Sequence, residues 1–145
     1  MPERYFCYGV PMIGDIKKER GPMTGLLSVL IATGEESAFV VACDMPFINA
    51  DLISLLVSRH SSLEKVRDAV IPVFDGKIQP LFGIYTKNII KTTEEMIQHG
   101  QRSLTEMLTR VNTLYISEED VKAVDPMGRS FANINTMEEY DKYVI

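Results

Sequence analysis

The run Ala38-Phe39-Val40-Val41-Ala42-Cys43, closed by Asp44-Met45-Pro46, holds six consecutive apolar residues with no polar alternation. A strand with one wet face alternates, whereas one covered on both faces of a parallel sheet does not, so a strand of the second kind is expected here. Pro46 biases the residue before it toward an extended conformation. The chain is therefore expected to turn away from the sheet at this point and leave Asp44 at its rim. Helical patterns flank the run. Pro22 to Thr33 presents Leu26, Leu27, Val29, Leu30 and Ile31 and stops at Gly34. Leu52, Ile53, Leu55, Leu56 and Val57 gather on one side of a second helix, with Asn49 as its N-cap.

Further out, Val10-Pro11-Met12-Ile13 reads as a short strand closed by Gly14-Asp15. Ala69–Phe74 and Lys77–Tyr85 flank Asp75-Gly76, a strong signal for a two-residue hairpin. Helical stretches follow at 87–98 and 103–110, then a late strand from Val111 to Ile116. Thr136 caps a terminal helix to Tyr143, with Glu138 and Glu139 in its first turn. Repeated strand–helix alternation predicts an α/β domain with a mostly parallel sheet, made mixed by the hairpin.

Composition narrows the function classes. The 145 residues carry 15 Lys and Arg against 20 Asp and Glu, a net charge of −5. That length suits one domain spanning residues 1–145, and the acidic balance argues against binding nucleic acid through its phosphate backbone. The longest apolar run is far short of the roughly 20 residues of a membrane span, and no secretory leader is recognisable. Cys7 and Cys43 alone build neither a disulfide framework nor a zinc site, so a reducing cytoplasm is expected.

Ligands of open α/β sheets bind beyond the carboxyl ends of the strands, and Asp15 and Asp44 both fall at such ends. One rim carboxylate suits Mg²⁺, which takes one or two protein carboxylates and completes its shell with water and phosphate oxygens; equally, Asp44 could be a plain turn residue. Gly21-Pro22-Met23-Thr24-Gly25 opens the first helix, where free N–H groups attract anions, or serves only as a helix start. Arg102, in Gly100-Gln101-Arg102-Ser103, could clamp a phosphate or simply be a solvated turn residue. Asn133 and Asn135 stand two apart, hence on one face of an extended segment, although Asn135 could instead be a turn residue. His60 and His99 lack partners at ligand spacing and read as helix-end residues.

Taken together, Asp15, Gly21-Pro-Met-Thr-Gly25-Leu-Leu-Ser-Val and Ala42-Cys43-Asp44-Met45-Pro46-Phe47 resemble the molybdenum cofactor guanylyltransferases. So do Gln79-Pro80-Leu81, Gly100-Gln-Arg102-Ser and Phe131-Ala-Asn133-Ile-Asn135-Thr136, in the family's order across essentially the whole chain. The resemblance implies a Rossmann-like nucleotidyltransferase three-layer sandwich that joins GMP from Mg-GTP to molybdopterin and releases pyrophosphate. It implies that Asp44 holds Mg²⁺ near the triphosphate and that Asp15 contacts the nucleotide. Gly21 and Gly25 match the glycines framing the helix start, and Arg102, Asn133 and Asn135 match polar residues on the pterin and catalytic side.

Departures accompany the match. Met137 stands where the family usually has Pro, and Thr24 where Ala is common. Members of the family open with a strand and a Gly-rich loop carrying an Arg and then a Lys, whereas Met1-Pro2-Glu3-Arg4-Tyr5 resembles the segment just after their second strand. The chain is thus expected to be truncated at its N-terminus, lacking a central strand and the main triphosphate contacts. Exposed strand edges would then favour a homo-oligomer, a rearranged sheet or a molybdoenzyme-assembly partner. A non-catalytic molybdopterin- or partner-binding module and a cytidylyltransferase are the alternatives. The 145 residues alone are expected to transfer GMP to molybdopterin weakly or not at all, and robust turnover with Mg²⁺ and GTP would count against that expectation.

Overall fold

A computed structural model describes residues 9–18, 20–62 and 66–144. The elements are α1 (Pro22–Ala32), β1 (Ser37–Val41), α2 (Ala50–Ser61), β2 (Ala69–Phe74), β3 (Lys77–Ile78) and β4 (Phe82–Thr86). A 3₁₀ turn at Lys87–Ile89 leads into α3 (Ile90–Gln98), followed by α4 (Leu104–Arg110), β5 (Thr113–Ile116) and α5 (Glu118–Val124). A second 3₁₀ turn, Arg129–Phe131, precedes α6 (Met137–Val144).

The Asp-Gly signal is realised as a two-residue turn. Asp75 and Gly76 both have positive φ, 50° and 68°, and Phe74 faces Lys77 across them. Positive φ at both central positions matches the twist of the flanking strands. The Gly76 N–H donates to Glu118 Oε2 at 3.0 Å, which ties the turn to α5. Lys122, bonded to Glu118, and then the Gly76 N–H hold that carboxyl below its usual pKa. This clasp is therefore at full strength above the ordinary carboxylate pKa and is lost as pH falls through the lowered value.

The returning strand is not continuous, as Lys77–Tyr85 was expected to be. It breaks at Gln79-Pro80-Leu81 into β3 and β4, because Pro80 has no N–H for the ladder. The Phe82 N–H closes a turn on the Gln79 carbonyl at 3.1 Å, and the Tyr85 hydroxyl donates to the Pro80 carbonyl. Burial, with Tyr115 nearby, pushes the Tyr85 phenol well above its ordinary pKa, so it stays a donor.

β4 lies between β1 and β2 and is antiparallel to both, while β5 joins β2 in parallel. β1, β2 and β5 thus run in one direction and end at one rim. The sheet is mixed, as the hairpin implied, but where a mostly parallel sheet was expected only one of the four pairings among the described residues, β2 with β5, is parallel. Ala38–Cys43 differs from its expected place, however: β1 ends at Val41, pairs antiparallel with β4, and is only half-buried throughout. Among the described residues its other edge carries no strand. Val10–Ile13 is also not a strand; it is irregular and exposed, with no sheet partner among the described residues. The Met1–Tyr5 stretch lies outside the described residues.

Side-chain alternation sorts the core onto two faces. Ala69, Ile71 and Tyr85 pack with α1, α3 and α4, while Val70, Phe82 and Ile84 pack with α2 and α5. This gives three layers, and no helix among the described residues is long and apolar enough to cross a membrane. Gly83 permits the close approach of β4 to β2: a Cβ there would stand 2.5 Å from Ile71 Cδ1 and 2.8 Å from the Val70 carbonyl oxygen. Gly83→Ala is expected to cost roughly 1–3 kcal/mol as overpacking, read as a lower urea midpoint.

Candidate active site

The loop leaving β1 is pinned where it starts. The Ala42 N–H donates to the Leu81 carbonyl at 3.0 Å, the Met45 N–H turns back to Ala42 at 3.3 Å, and the Met45 side chain is buried in the core. Between these anchors Asp44 stays half-buried at the rim, as expected. Its carbonyl accepts the Ile134 N–H at 2.8 Å, a backbone bond between segments ninety positions apart in the chain. Ile134 is half-buried while Asn133 and Asn135 are exposed, which is the alternation of an extended segment. Neither asparagine amide group hydrogen-bonds to another described residue.

An opening of about 290 Å³ lies between Asp44, Pro46, Ile134, Asn135, Thr136 and Tyr140. Thr136 caps α6 as the sequence indicated, and the cap is reciprocal. Thr136 Oγ1 accepts the Glu139 N–H at 3.2 Å, while Glu139 Oε2 accepts the N–H groups of Asn135 and Thr136 at 2.7 and 3.3 Å. Among its described residues α6 buries none; it is held by aromatic contacts and by Arg129 Nη2, which donates to the Tyr143 carbonyl at 2.7 Å. Phe47 stacks on Tyr140 at 5.5 Å and packs on Tyr143 at 5.2 Å, with the Arg129 guanidinium 5.2 Å from the Phe47 ring centroid.

A second group gathers at the start of α1. Gly21 occupies the N-cap at φ 145°, and Asp15 Oδ1 lies 3.9 Å from where a Gly25 Cβ would stand. The Ile16 N–H donates to Ser28 Oγ at 3.0 Å, and that hydroxyl donates to the Thr24 carbonyl at 2.8 Å. This clasp holds Asp15 beside Gly25. Because α1 runs back along the sheet before β1, its start falls at the same rim as Asp44.

Arg102 stands apart. It is exposed ahead of Ser103, which caps α4 by accepting the Glu106 N–H at 3.2 Å. Ser37 faces Thr86, so α3 departs from the far end of β4 and returns the 99–103 loop toward the rim. The Arg102 guanidinium makes no hydrogen bond or ion pair with the other described residues. His60 sits in the last turn of α2, and His99, at the C-cap of α3, begins the Arg102 loop with its Nδ1 bonded to the Glu95 carbonyl at 2.7 Å.

Among the described residues, no three His, Cys, Asp or Glu side chains converge as a protein-only metal cage. Mg²⁺ requires less than that, and a half-buried carboxylate at the edge of an opening, with an amide beside it, meets its demand. The aromatic anchors of α6 and the Asn49–Ser130 contact escaped the sequence reading. So did α5, although Ser117 followed by Glu118, Glu119 and Asp120 is a helix-start signal.

Residues 2–113 match the family model described as the MobA-like NTP transferase domain. The chain belongs to this family. It is 35% identical over 145 residues to a protein of Peptoclostridium acidaminophilum named "Probable molybdenum cofactor guanylyltransferase", covering 98% of this chain and 66% of that one. A molybdenum cofactor guanylyltransferase of Desulfosudis oleivorans is 30% identical, covering 97% and 68%. The crystal structure of molybdopterin-guanine dinucleotide biosynthesis protein A from Archaeoglobus fulgidus superposes with a TM-score of 0.81 at 28% identity, covering 97% of this chain and 69% of that one. The chain spans about two thirds or less of the length of the first curated relatives it matches, 58% in the shortest case. Asp15, Gly21, Gly25, Asp44 and Arg102 lie inside the matched domain; Asn133 and Asn135 lie beyond it.

Glu139→Ala removes half of the reciprocal cap. It is expected to cost α6 about 1 kcal/mol, read as faster amide exchange at residues 135–139 with the β2 and β4 amides unchanged.

Proposed function

We propose that this chain carries the metal-side and acceptor-side part of a site that joins GMP from GTP to molybdopterin. The observation that carries this reading is the Ile134-to-Asp44 bond, which sets a rim carboxylate beside Asn133 and Asn135. The names of relatives at 28–35% identity supply the substrates.

In this reaction a phosphate oxygen of molybdopterin attacks the α-phosphorus of GTP in line. The new P–O bond forms as the bond to the bridging oxygen breaks, and pyrophosphate leaves with that oxygen and its electron pair. Mg²⁺ held by Asp44 supplies neutralisation of triphosphate charge. Asn133 and Asn135 orient the acceptor through amide hydrogen bonds, and Arg102 grips its phosphate from the 99–103 loop. Asp15 contacts the nucleotide at the start of α1, where Gly21 and Gly25 allow close backbone approach. The protein contributes positioning and electrostatics, with no covalent intermediate. A reducing cytoplasm is the compartment in this reading, and it suits the exposed free thiol of Cys43.

Asp44→Ala is expected to weaken Mg²⁺-dependent GTP binding by about tenfold or more, the cost of one charged contact, as measured by calorimetry. Undiminished binding would overturn the reading and favour a non-catalytic carrier. Displacement of GTP by CTP at equal concentration would move the assignment to a cytidylyltransferase.

A further inference from the structure

Asp125 ends α5, is 4% exposed, and has no part in the chemistry above. A buried carboxylate is costly unless donors fill its lone pairs. Here Oδ1 accepts the Arg129 N–H at 3.1 Å and Oδ2 accepts the Ser130 N–H at 3.0 Å. The two bonds wrap the 125–130 turn around the carboxylate. They also fix Ser130, which is fully buried and whose Oγ accepts the Asn49 N–H at 3.0 Å. Asn49 completes the tie: its Nδ2 donates to the Val124 carbonyl at 2.9 Å, and its Oδ1 accepts the Asp51 N–H at 2.8 Å.

The Asp44 loop is therefore held at three backbone points: Ala42 to Leu81, Asp44 to Ile134, and Asn49 to Ser130. One of these three partners, Ser130, sits in the turn that Asp125 folds, and Ile134 follows it four residues along the same segment. A metal site with a single protein carboxylate has no cage to keep that carboxylate in place. Its geometry must come from the shell behind it.

We propose that Asp125 and Ser130 are positioning residues, which hold Asp44 and Asn135 in one fixed relation for a metal–triphosphate ligand. The proposal rests on the function assigned above. Asp125→Asn keeps the size of the side chain but turns an amide NH₂ toward a backbone N–H. Ser130→Ala removes one acceptor and no charge, and Ser130→Thr keeps the hydroxyl.

The test uses the 145-residue chain with Mn²⁺ as the probe. Mn²⁺ binding in the presence of GTP is followed by electron paramagnetic resonance, with near-ultraviolet circular dichroism recorded on each variant. Ser130→Ala and Asp125→Asn are each expected to weaken Mn²⁺ binding about tenfold, within the range for lost outer-shell partners. Their dichroism is expected to be unchanged, and Ser130→Thr to bind close to wild type. Should Asp125→Asn fail to fold, Ser130→Ala decides alone. If Asp44→Ala loses Mn²⁺ binding while Ser130→Ala retains it, the positioning role is overturned and the function stands. If Ser130→Thr loses as much as Ser130→Ala, the effect is packing and the positioning role is overturned. Mn²⁺ binding unaffected by Asp44→Ala would overturn both.

Discussion

The rim depends on one antiparallel strand lying between two strands that run the other way. β4 gives Ile84 to one face and Tyr85 to the other, and Gly83 lets it approach β2 without a side chain in between. Because it opposes both neighbours, β1 and β2 share a direction, and β5 inherits that direction by pairing with β2. Their carboxyl ends therefore open on one side of the sheet, where the loop bearing Asp44 and the Asp75-Gly76 turn emerge. Helices that return along the sheet before or after these strands bring the start of α1 and the 99–103 loop to the same side. Ligands of open α/β sheets collect at such ends.

At that side the loops are joined largely through their backbones. The Asp44 carbonyl meets the Ile134 N–H, the Asn49 N–H meets the Ser130 hydroxyl, and the Ala42 N–H meets the Leu81 carbonyl at 3.0 Å. Bonds of this kind leave side chains free for other work. Asp44, Asn133 and Asn135 keep their polar ends unspent, while the polar groups that are committed, Asp125, Ser130 and Asn49, lie behind them. Such a division suits a site that must be shaped before its ligand arrives.

Much of this was legible in the sequence because the local signals are local in cause. Asp75-Gly76 makes its turn by its own backbone preference, and Asn49 and Thr136 cap by reaching N–H groups two or three residues on. Pairing is a different matter. Six apolar residues announce a strand but not its neighbours, so β1 read as fully covered and stands half-buried beside an antiparallel partner. Val10–Ile13 is equally apolar yet exposed, since an apolar run too short to alternate carries no register. The break at Pro80 falls at a residue with no N–H to give the ladder, but Pro72 is carried within β2, so a proline by itself does not tell a break from a strand. Grouping Asp44 with Asn133 and Asn135 followed from motif resemblance alone; the two segments meet through a backbone bond across ninety positions that no local pattern encodes.

Glu139 shows how α6 protects the character of the site. It comes four residues after Asn135, on a helix whose Tyr140 lines the same opening as Asp44. A free second carboxylate there would compete for a cation and repel a triphosphate. Instead, Glu139 Oε2 is occupied by the backbone N–H groups of Asn135 and Thr136. Phe47, three residues after Asp44, receives Tyr140 and Tyr143 and holds the helix so that this capping geometry persists. Among the described residues that line it, the opening then presents one carboxylate, Asp44, and one amide, Asn135. With a single negative charge on offer, a divalent cation is bound weakly by the protein alone and much better when phosphate oxygens complete its shell. In the proposed reaction, metal and nucleotide are therefore taken up as one ligand.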